Sequence, residues 1–191
     1  HPHRMAGQSR ASTIRCADEA FDYLVIGGGS GGIASGRRAA AHGAKVAVIE
    51  KARLGGTCVN VGCVPKKVMF NAATILEMIH QAAGYGYTVG ETSFSLPELK
   101  KRRDAYVARL NGIYKNNLGN SDVDFVEGDA SFVSANVVQA AGKTYTAPNV
   151  LIAVGGKPRM PEMPGIEHAI SSDGFFELEE VPKKVAVIGC G

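Results

Sequence analysis

Two cysteines, Cys58 and Cys63, are the residues of this sequence with the clearest capacity for chemistry. They stand five positions apart, and in a regular α-helix that offset corresponds to a rise of about 7.5 Å. A disulfide requires the two Cα atoms to lie within roughly 7 Å of each other. The pair can therefore form a bridge only if the chain is irregular between them, and Gly62 supplies the backbone freedom that such a turn needs.

A helix is predicted directly after the pair, from about residue 64 to residue 82, with Pro65 in its first turn. The positive end of the helix dipole favours a thiolate at Cys63, and Lys66, one turn further on, adds a cation nearby. Two alternatives are a pair of buried free thiols and half of a zinc site. Because zinc needs four ligands and no second Cys or His pair has suitable spacing, the pattern favours a redox-active disulfide.

A glycine-rich turn precedes the cysteines, where Gly27, Gly29 and Gly32 form the pattern G-x-G-x-x-G. The first glycine permits a tight turn, the second lets a pyrophosphate approach the backbone, and the third lets helix and strand pack closely. The following helix would direct its free N–H groups at the phosphates. Glu50 ends the next strand, where its carboxylate can accept hydrogen bonds from ribose hydroxyls and disfavours a 2′-phosphate, and hence NADP. The motif alone does not distinguish FAD from NAD.

The segments around these motifs predict an α/β fold, because short β-branched runs alternate with stretches that suit helices. Strand, glycine turn, helix, strand and acidic residue follow one another up to Glu50, which is the order of a βαβ unit. Short runs between residues 130 and 147 suggest a small antiparallel meander. We predict helices at 33–42, 64–82 and 96–118, and further strands at 23–26, 45–49, 123–126, 149–154 and 183–188.

The chain divides into four predicted segments. Residues 1–20 carry arginines and serines but no acidic residue before Asp18, which matches a mitochondrial presequence and equally a disordered arm. Met5 would allow a shorter cytosolic form, so we expect the cytoplasm, the mitochondrion or both. We predict an arm at 1–20, a nucleotide-binding domain at 21–157, a proline-stiffened linker at 158–182 and the start of a second nucleotide-binding domain at 183–191.

The composition excludes several classes of protein. With 191 residues, 45% of them hydrophobic and 20% charged, the chain has the profile of an ordinary globular protein. Its net charge of +3 is small and dispersed, so we expect no nucleic-acid partner. No run of eighteen apolar residues occurs, so we expect no membrane span. Four cysteines are too few for a secreted disulfide scaffold, and Cys16 and Cys190 have no evident partner.

Both ends of the sequence suggest a fragment. The chain begins with His1 rather than Met, and it ends at residues 189–191, where an apolar run meets a glycine turn. Those last residues repeat the opening of the first glycine turn, but its third glycine is missing. We therefore expect the start of a second nucleotide site without the residues that would complete it.

The stretch from Gly55 to Lys67, which contains both cysteines, resembles the active-site motif of the flavoprotein pyridine nucleotide–disulfide oxidoreductases. Residues 27–38 and 103–114 are similar to those of family members that reduce glutathione disulfide. The resemblance covers residues 21–191. It implies a Rossmann-like FAD-binding domain of three layers, with a parallel sheet and a β-meander, truncated at the start of a second Rossmann-like domain for NADPH.

Site residues follow from the same resemblance. The residues implied in catalysis are Cys58, Cys63 and Lys66. Substrate contacts are implied for Ser30, Arg37 and Tyr114. Cofactor contacts are implied along the glycine turn, the cysteine motif and the ends of later strands, namely at Gly27, Gly29, Ser30, Gly31, Gly32, Glu50, Gly56, Thr57, Cys58, Lys66, Ala130 and Gly155.

The resemblance also implies a mechanism and partners. NADPH would reduce the flavin, the flavin would reduce the Cys58–Cys63 disulfide, and Lys66 would tune the flavin. Cys63 would stay beside the flavin as a thiolate, while Cys58, as the accessible sulfur, would attack glutathione disulfide. The complete protein would be a homodimer, and we expect the fragment alone to be inactive in NADPH-dependent turnover. Alternatives are a thioredoxin- or trypanothione-type disulfide reductase and a non-catalytic FAD-binding product.

Overall fold

The computed structural model describes residues 17–189, so the predictions for Cys16, Cys190, Gly191 and most of the arm lie outside the described residues. The strands are β1 (Glu19–Ala20), β2 (Tyr23–Ile26), β3 (Val46–Glu50), β4 (Val123–Glu127), β5 (Ser131–Ser134), β6 (Val137–Ala140), β7 (Lys143–Thr146) and β8 (Asn149–Ile152). The α-helices are α1 (Ser30–Ala40), α2 (Gly56–Val61), α3 (Cys63–Gln81), α4 (Leu96–Gly119) and α5 (Ser172–Phe175).

Two four-stranded sheets and the helices form three layers. The central sheet is parallel, in the order β4-β3-β2-β8, and the second sheet has the order β1-β7-β6-β5. Neighbouring residues of β2 pack on opposite faces of the central sheet. Leu24 packs with Val138 and Tyr145 of the second sheet. Val25 packs with Ile33 of α1 and Leu118 of α4 on the opposite face. Because both faces of the central sheet are covered, its strands are apolar almost throughout. The predicted α/β fold with its meander is confirmed.

The parallel arrangement decides where the functional loops lie. β2, β3 and β8 run side by side in register, with Ile26 level with Ile49 and with Ile152. Their carboxyl ends therefore lie along one edge of the sheet, where open α/β sheets bind ligands. The glycine turn follows β2, and the loop that leads to the cysteines follows β3. The fold thus brings the two motifs together.

Two expectations about the ends of the described region are wrong. Residues 183–188, predicted to form a strand, form none, because a strand needs a neighbour to pair with and no strand between residues 17 and 189 pairs with them. Val187 in this segment is exposed. The predicted arm also extends too far, since β1 pairs in parallel with β7. The other domain boundaries stay predictions.

The segment predicted as a linker is partly packed against the domain. It contains α5, and Phe176 directly after that helix is buried. Arg103 of α4 is only 4% exposed and donates a hydrogen bond of 2.6 Å from Nη2 to the Phe176 carbonyl. The same guanidinium donates to Oδ1 of Asp104, and Lys100 forms an ion pair with Glu177 at 3.1 Å. The prolines that suggested a linker carry no information about these contacts, and the linker boundaries stay predictions.

We expect Arg103→Ala to lower the free energy of unfolding by about 2 to 3 kcal/mol, since it removes charge-assisted hydrogen bonds from a buried position. Thermal and chemical unfolding would measure the change. The neighbouring Arg102→Ala is a matched control, because Arg102 is exposed and, among residues 17–189, forms an ion pair only with Glu98 one turn away. That change should cost no more than about 0.5 kcal/mol. Equal effects of the two substitutions would contradict the role of Arg103.

Candidate redox-active site

The glycine turn after β2 has a geometry that only glycine adopts without strain. Gly27 has a φ of +112°, and a Cβ at this position would lie 2.2 Å from the carbonyl oxygen of Ala153. Gly32 is equally confined, because a Cβ there would lie 1.9 Å from the carbonyl oxygen of Gly27. Gly31, in contrast, faces open space, and α1 begins at Ser30 without a side-chain cap. The first N–H groups of α1 are therefore open to an anionic ligand.

The carboxylate of Glu50 holds the turn in place. Its Oε2 accepts a hydrogen bond of 2.6 Å from the backbone N–H of Gly28, and its Oε1 accepts one of 2.8 Å from Ala52. The sequence predicted only contacts to ribose for this residue. Each carboxylate oxygen can accept a further hydrogen bond, so bracing the backbone is compatible with binding hydroxyls.

The loop between β3 and the cysteines packs directly on the glycine turn. Gly55 and Gly56 have φ values of +96° and +58°, and the Gly55 N–H donates to the Gly28 carbonyl at 2.8 Å. A Cβ on Gly56 would lie 2.8 Å from the Cα of Gly29. Glycines at these positions therefore allow two backbones to touch, which ties the cysteine motif to the nucleotide motif.

The two cysteines lie on either side of a helix break. Cys58 is in α2, and Cys63 is the first residue of α3. Between the helices, Gly62 has φ −147° and ψ −116°, which is not helical. A Cβ on Gly62 would lie 2.8 Å from the carbonyl oxygen of Thr57, so the turn is tight as well as irregular. The irregular turn that the sequence required is present, and both side chains are free thiols.

The Cys63 side chain, as a hydrogen-bond partner, is the largest cause of a raised pKa at Cys58. Partial burial and the charge of Cys63 raise the pKa of Cys58 further, while the Cys63 backbone N–H partly offsets the rise. Cys58 therefore keeps its proton at a pH where an ordinary thiol begins to lose it.

The exposure of the two sulfurs differs from the expectation that Cys58 is the accessible one. Cys63 is exposed, whereas Cys58 is half-buried. The reason is local: α2 is packed under the glycine loop, with Val59 buried beside Cys58, while Cys63 starts a helix that faces the open cleft. Exposure in this chain therefore does not identify Cys58 as the sulfur that attacks a substrate.

We expect the rate of Cys58 alkylation by iodoacetamide to rise at higher pH than that of an unstructured cysteine peptide, because only the thiolate reacts and the pKa of Cys58 is raised. Peptide mass spectrometry after timed quenching would follow each cysteine separately. In Cys63→Ala the main cause of the raised pKa of Cys58 is removed, so the pH midpoint of Cys58 alkylation should move down. If the pH midpoint of Cys58 alkylation in the unmodified chain lies at or below that of the free peptide, the raised pKa of Cys58 is contradicted.

Two adjoining clefts run along this edge of the sheet, with volumes of about 710 and 480 Å³. They share Glu50, Val154 and Gly155 as lining residues. The larger cleft contains the site residues Gly29, Ser30, Gly31, Gly56, Thr57, Cys58 and Cys63, and the smaller one contains Gly27 and Ala130. A continuous trough thus leads from the cysteines past the glycine turn to the end of β4.

Four predicted site residues lie outside both clefts. Gly32 is packed beneath the glycine turn, and Lys66 is exposed on α3. Arg37 donates a hydrogen bond of 2.9 Å from Nε to Ser121, and Tyr114 packs against the core on the helix side of the sheet. Sequence reasoning in turn missed Asn60, which lies between the two cysteines in the sequence and lines the larger cleft. Its position inside the cysteine motif is the signal that could have found it.

Two further observations concern the part of the chain that the structure describes. Within residues 17–189, no helix has both the length and the apolar character needed to cross a membrane. Over the same residues, no three His, Cys, Asp or Glu side chains are grouped so that they could hold a metal ion.

Comparison with known proteins shows what the chain is similar to. A family model described as pyridine nucleotide-disulphide oxidoreductase matches residues 21–191. A glutathione reductase of Yarrowia lipolytica is 52% identical over 185 residues, which are 90% of this chain and 39% of that relative. A glutathione reductase of Schizosaccharomyces pombe is 52% identical over 180 residues, again 90% of this chain and 39% of the relative. The chain thus spans about two fifths of the length of these curated relatives.

Proposed function

Because the chain belongs to the pyridine nucleotide-disulphide oxidoreductase family, we propose that it carries the FAD-binding and disulfide-forming part of an NADPH-dependent glutathione-disulfide reductase. The observation that carries this proposal is the placement of Cys58 and Cys63, on either side of the break at Gly62, in the wall of a cleft that continues along the glycine turn. The names of the two relatives support glutathione disulfide as the substrate.

The described residues fit FAD. Gly31 leaves open space, and the uncapped start of α1 offers N–H groups for a pyrophosphate. Glu50, at the junction of the two clefts, has acceptor positions left for ribose hydroxyls. Ala130 and Gly155 line the far part of the trough, where a second nucleotide half would lie. When bound, FAD would supply the two-electron chemistry that links NADPH to the cysteine pair.

The chain's own residues perform the thiol–disulfide exchange. Cys58 first loses its proton to solvent, which forms the thiolate that reacts. The Cys58 thiolate then attacks one sulfur of glutathione disulfide, whose S–S bond breaks, and the first glutathione leaves and takes up a proton. Cys63, after losing its proton to solvent, attacks the Cys58 sulfur and releases the second glutathione. The pair loses two electrons, and glutathione disulfide gains them.

We propose that Ser30 and Arg37 contribute contacts that select glutathione. Ser30 lines the cleft beside the cysteines, in agreement with a substrate or cofactor contact. Arg37 would have to give up its hydrogen bond to Ser121 in order to bind a carboxylate of the substrate. We propose a homodimer for the whole protein.

The experiment measures how many glutathione molecules each chain releases. The chain with Cys16→Ser and Cys190→Ser, reduced and loaded with FAD, is mixed with glutathione disulfide under anaerobic conditions, and the glutathione released is counted. We expect retention of FAD through gel filtration and two glutathione molecules released per chain. Oxidised thioredoxin and trypanothione disulfide are the comparison substrates. A clear preference for either of them, or no release from any disulfide, would overturn the assignment.

A further inference from the structure

We propose that Asn111 of α4 is a positioning residue for the cysteine pair and acts through Asn60. This inference rests on the proposed function, since it concerns how easily Cys58 and Cys63 form their disulfide. Neither asparagine carries a charge, and within residues 17–189 neither forms a hydrogen bond with a sulfur, so their effect must pass through the backbone that holds α2.

The side chain of Asn60 binds the loop that precedes its own helix. Its Nδ2 donates to the carbonyl of Gly56 at 2.9 Å and to that of Leu54 at 3.1 Å, with a longer contact of 3.5 Å to Arg53. The loop and α2 are thereby fastened to each other. Because Cys58 and Asn60 both belong to α2, any rotation of α2 relative to the loop changes the position of Cys58.

The amide of Asn111 fixes the orientation of the Asn60 amide. Nδ2 of Asn111 donates to Oδ1 of Asn60 at 3.1 Å and to the Leu54 carbonyl at 2.7 Å. An Asn60 amide turned by 180° would place its oxygen against the carbonyls it now binds, and its NH₂ against the NH₂ of Asn111. Both side chains are half-buried, so losing a partner here is costly. A long helix from another part of the chain therefore determines the geometry of the redox motif.

The same loop is held on its other side by the glycine turn. The Gly55 N–H binds the Gly28 carbonyl, and Gly56 lies against Gly29. Without Asn111, the loop keeps this contact but loses the side-chain hydrogen bond that it accepts from α4. A disulfide tolerates only a narrow range of Cβ positions, and distortion makes the bond easier to reduce. Loss of Asn111 should therefore weaken the disulfide relative to the dithiol.

The test is a redox titration of the full chain in the Cys16→Ser, Cys190→Ser background, in buffers of reduced and oxidised glutathione. For Asn111→Ala, we expect the equilibrium constant for Cys58–Cys63 disulfide formation to fall about tenfold, which is about 30 mV for a two-electron couple. Asn116→Ala, at an exposed position on the same helix, is the matched control and should leave the constant unchanged. Circular dichroism at the titration temperature establishes that each variant is folded.

A double-mutant cycle tests the route through Asn60. We expect Asn60→Ala to lower the constant at least as much, and Asn60→Ala with Asn111→Ala to lower it little further, since both remove one network. Additive effects of the two substitutions on the equilibrium constant would overturn the inference that Asn111 acts through Asn60. An Asn111→Ala constant equal to that of the unmodified chain would overturn the inference alone. Failure of the unmodified chain to form the Cys58–Cys63 disulfide would overturn the proposed function together with this inference.

Discussion

Replacing Cys63 with Ser is expected to lower the glutathione released per chain from two molecules to one and to leave the other glutathione bound to Cys58. Serine is close in size to cysteine and can keep a hydrogen bond with Cys58, so the first exchange can proceed. It cannot attack the mixed disulfide, because a hydroxyl is not a thiolate nucleophile at neutral pH. Intact-mass spectrometry of the product and a count of free glutathione would measure both quantities.

The complementary variant gives the control. Cys58→Ser removes the thiol that we assign to the attack, so in the FAD-loaded chain it should release no glutathione at comparable times. Both variants are compared in the Cys16→Ser, Cys190→Ser background, which leaves only the pair under test. Release of two molecules by Cys63→Ser, or a stable adduct on Cys63 in Cys58→Ser, would reverse the proposed division of roles.

Gly27→Ala should have the largest effect on stability. The residue has a φ of +112°, and its added Cβ would meet the Ala153 carbonyl carbon at 2.6 Å and its oxygen at 2.2 Å. These atoms are backbone of the segment after β8, so they cannot swing away as a flexible side chain could. We expect the free energy of unfolding to fall on the order of 4 kcal/mol. Urea unfolding monitored by circular dichroism would measure it.

Gly112→Ala is the matched control for that substitution. Gly112 lies inside α4, and a Cβ there meets nothing within 4 Å. Alanine has the higher helix propensity, so this variant should gain about 0.5 to 1 kcal/mol. A Gly27→Ala chain as stable as the unmodified one would mean that the glycine turn is not built as described.

The sequence was sufficient to predict the local elements whose patterns are strong. The alternation of apolar strands with the glycine turn and the alanine-rich helix predicted β2, α1 and β3 to within a few residues. The meander was predicted because short runs separated by turn residues have few other solutions. Gly62 indicated the irregular turn between the cysteines, since five helical positions could not bring the sulfurs together.

The contacts that hold the site could not be predicted, because they join residues far apart in the sequence. Asn111 and Asn60 are 51 positions apart, and Arg103 and Phe176 are 73 apart. Polar side chains on a helix such as α4 have no pattern that separates a solvated residue from a buried anchor. The hydrogen bonds from the backbone to Glu50 could not be predicted either, because they depend on how the two loops meet.

The errors have a common cause. Residues 183–188 have the composition of a strand, but a strand exists only with a partner, and composition does not report one. Phe176 lies in a proline- and acid-rich stretch, yet Arg103 provides the site that buries it. The substrate contacts of Arg37 and Tyr114 follow from resemblance alone and stay predictions; in this chain Arg37 contacts Ser121, and Tyr114 packs against the core.

The location of the disulfide formed on oxidation tests the central claim most directly. Trypsin cleaves after Arg53 and Lys66, so one peptide of the unmodified chain contains both Cys58 and Cys63. After oxidation by glutathione disulfide and blocking of free thiols, we expect this peptide to be two hydrogens lighter than its reduced form and to carry no blocking group. Recovery of the peptide with both thiols blocked, or linked to a peptide containing Cys16 or Cys190, would contradict the account.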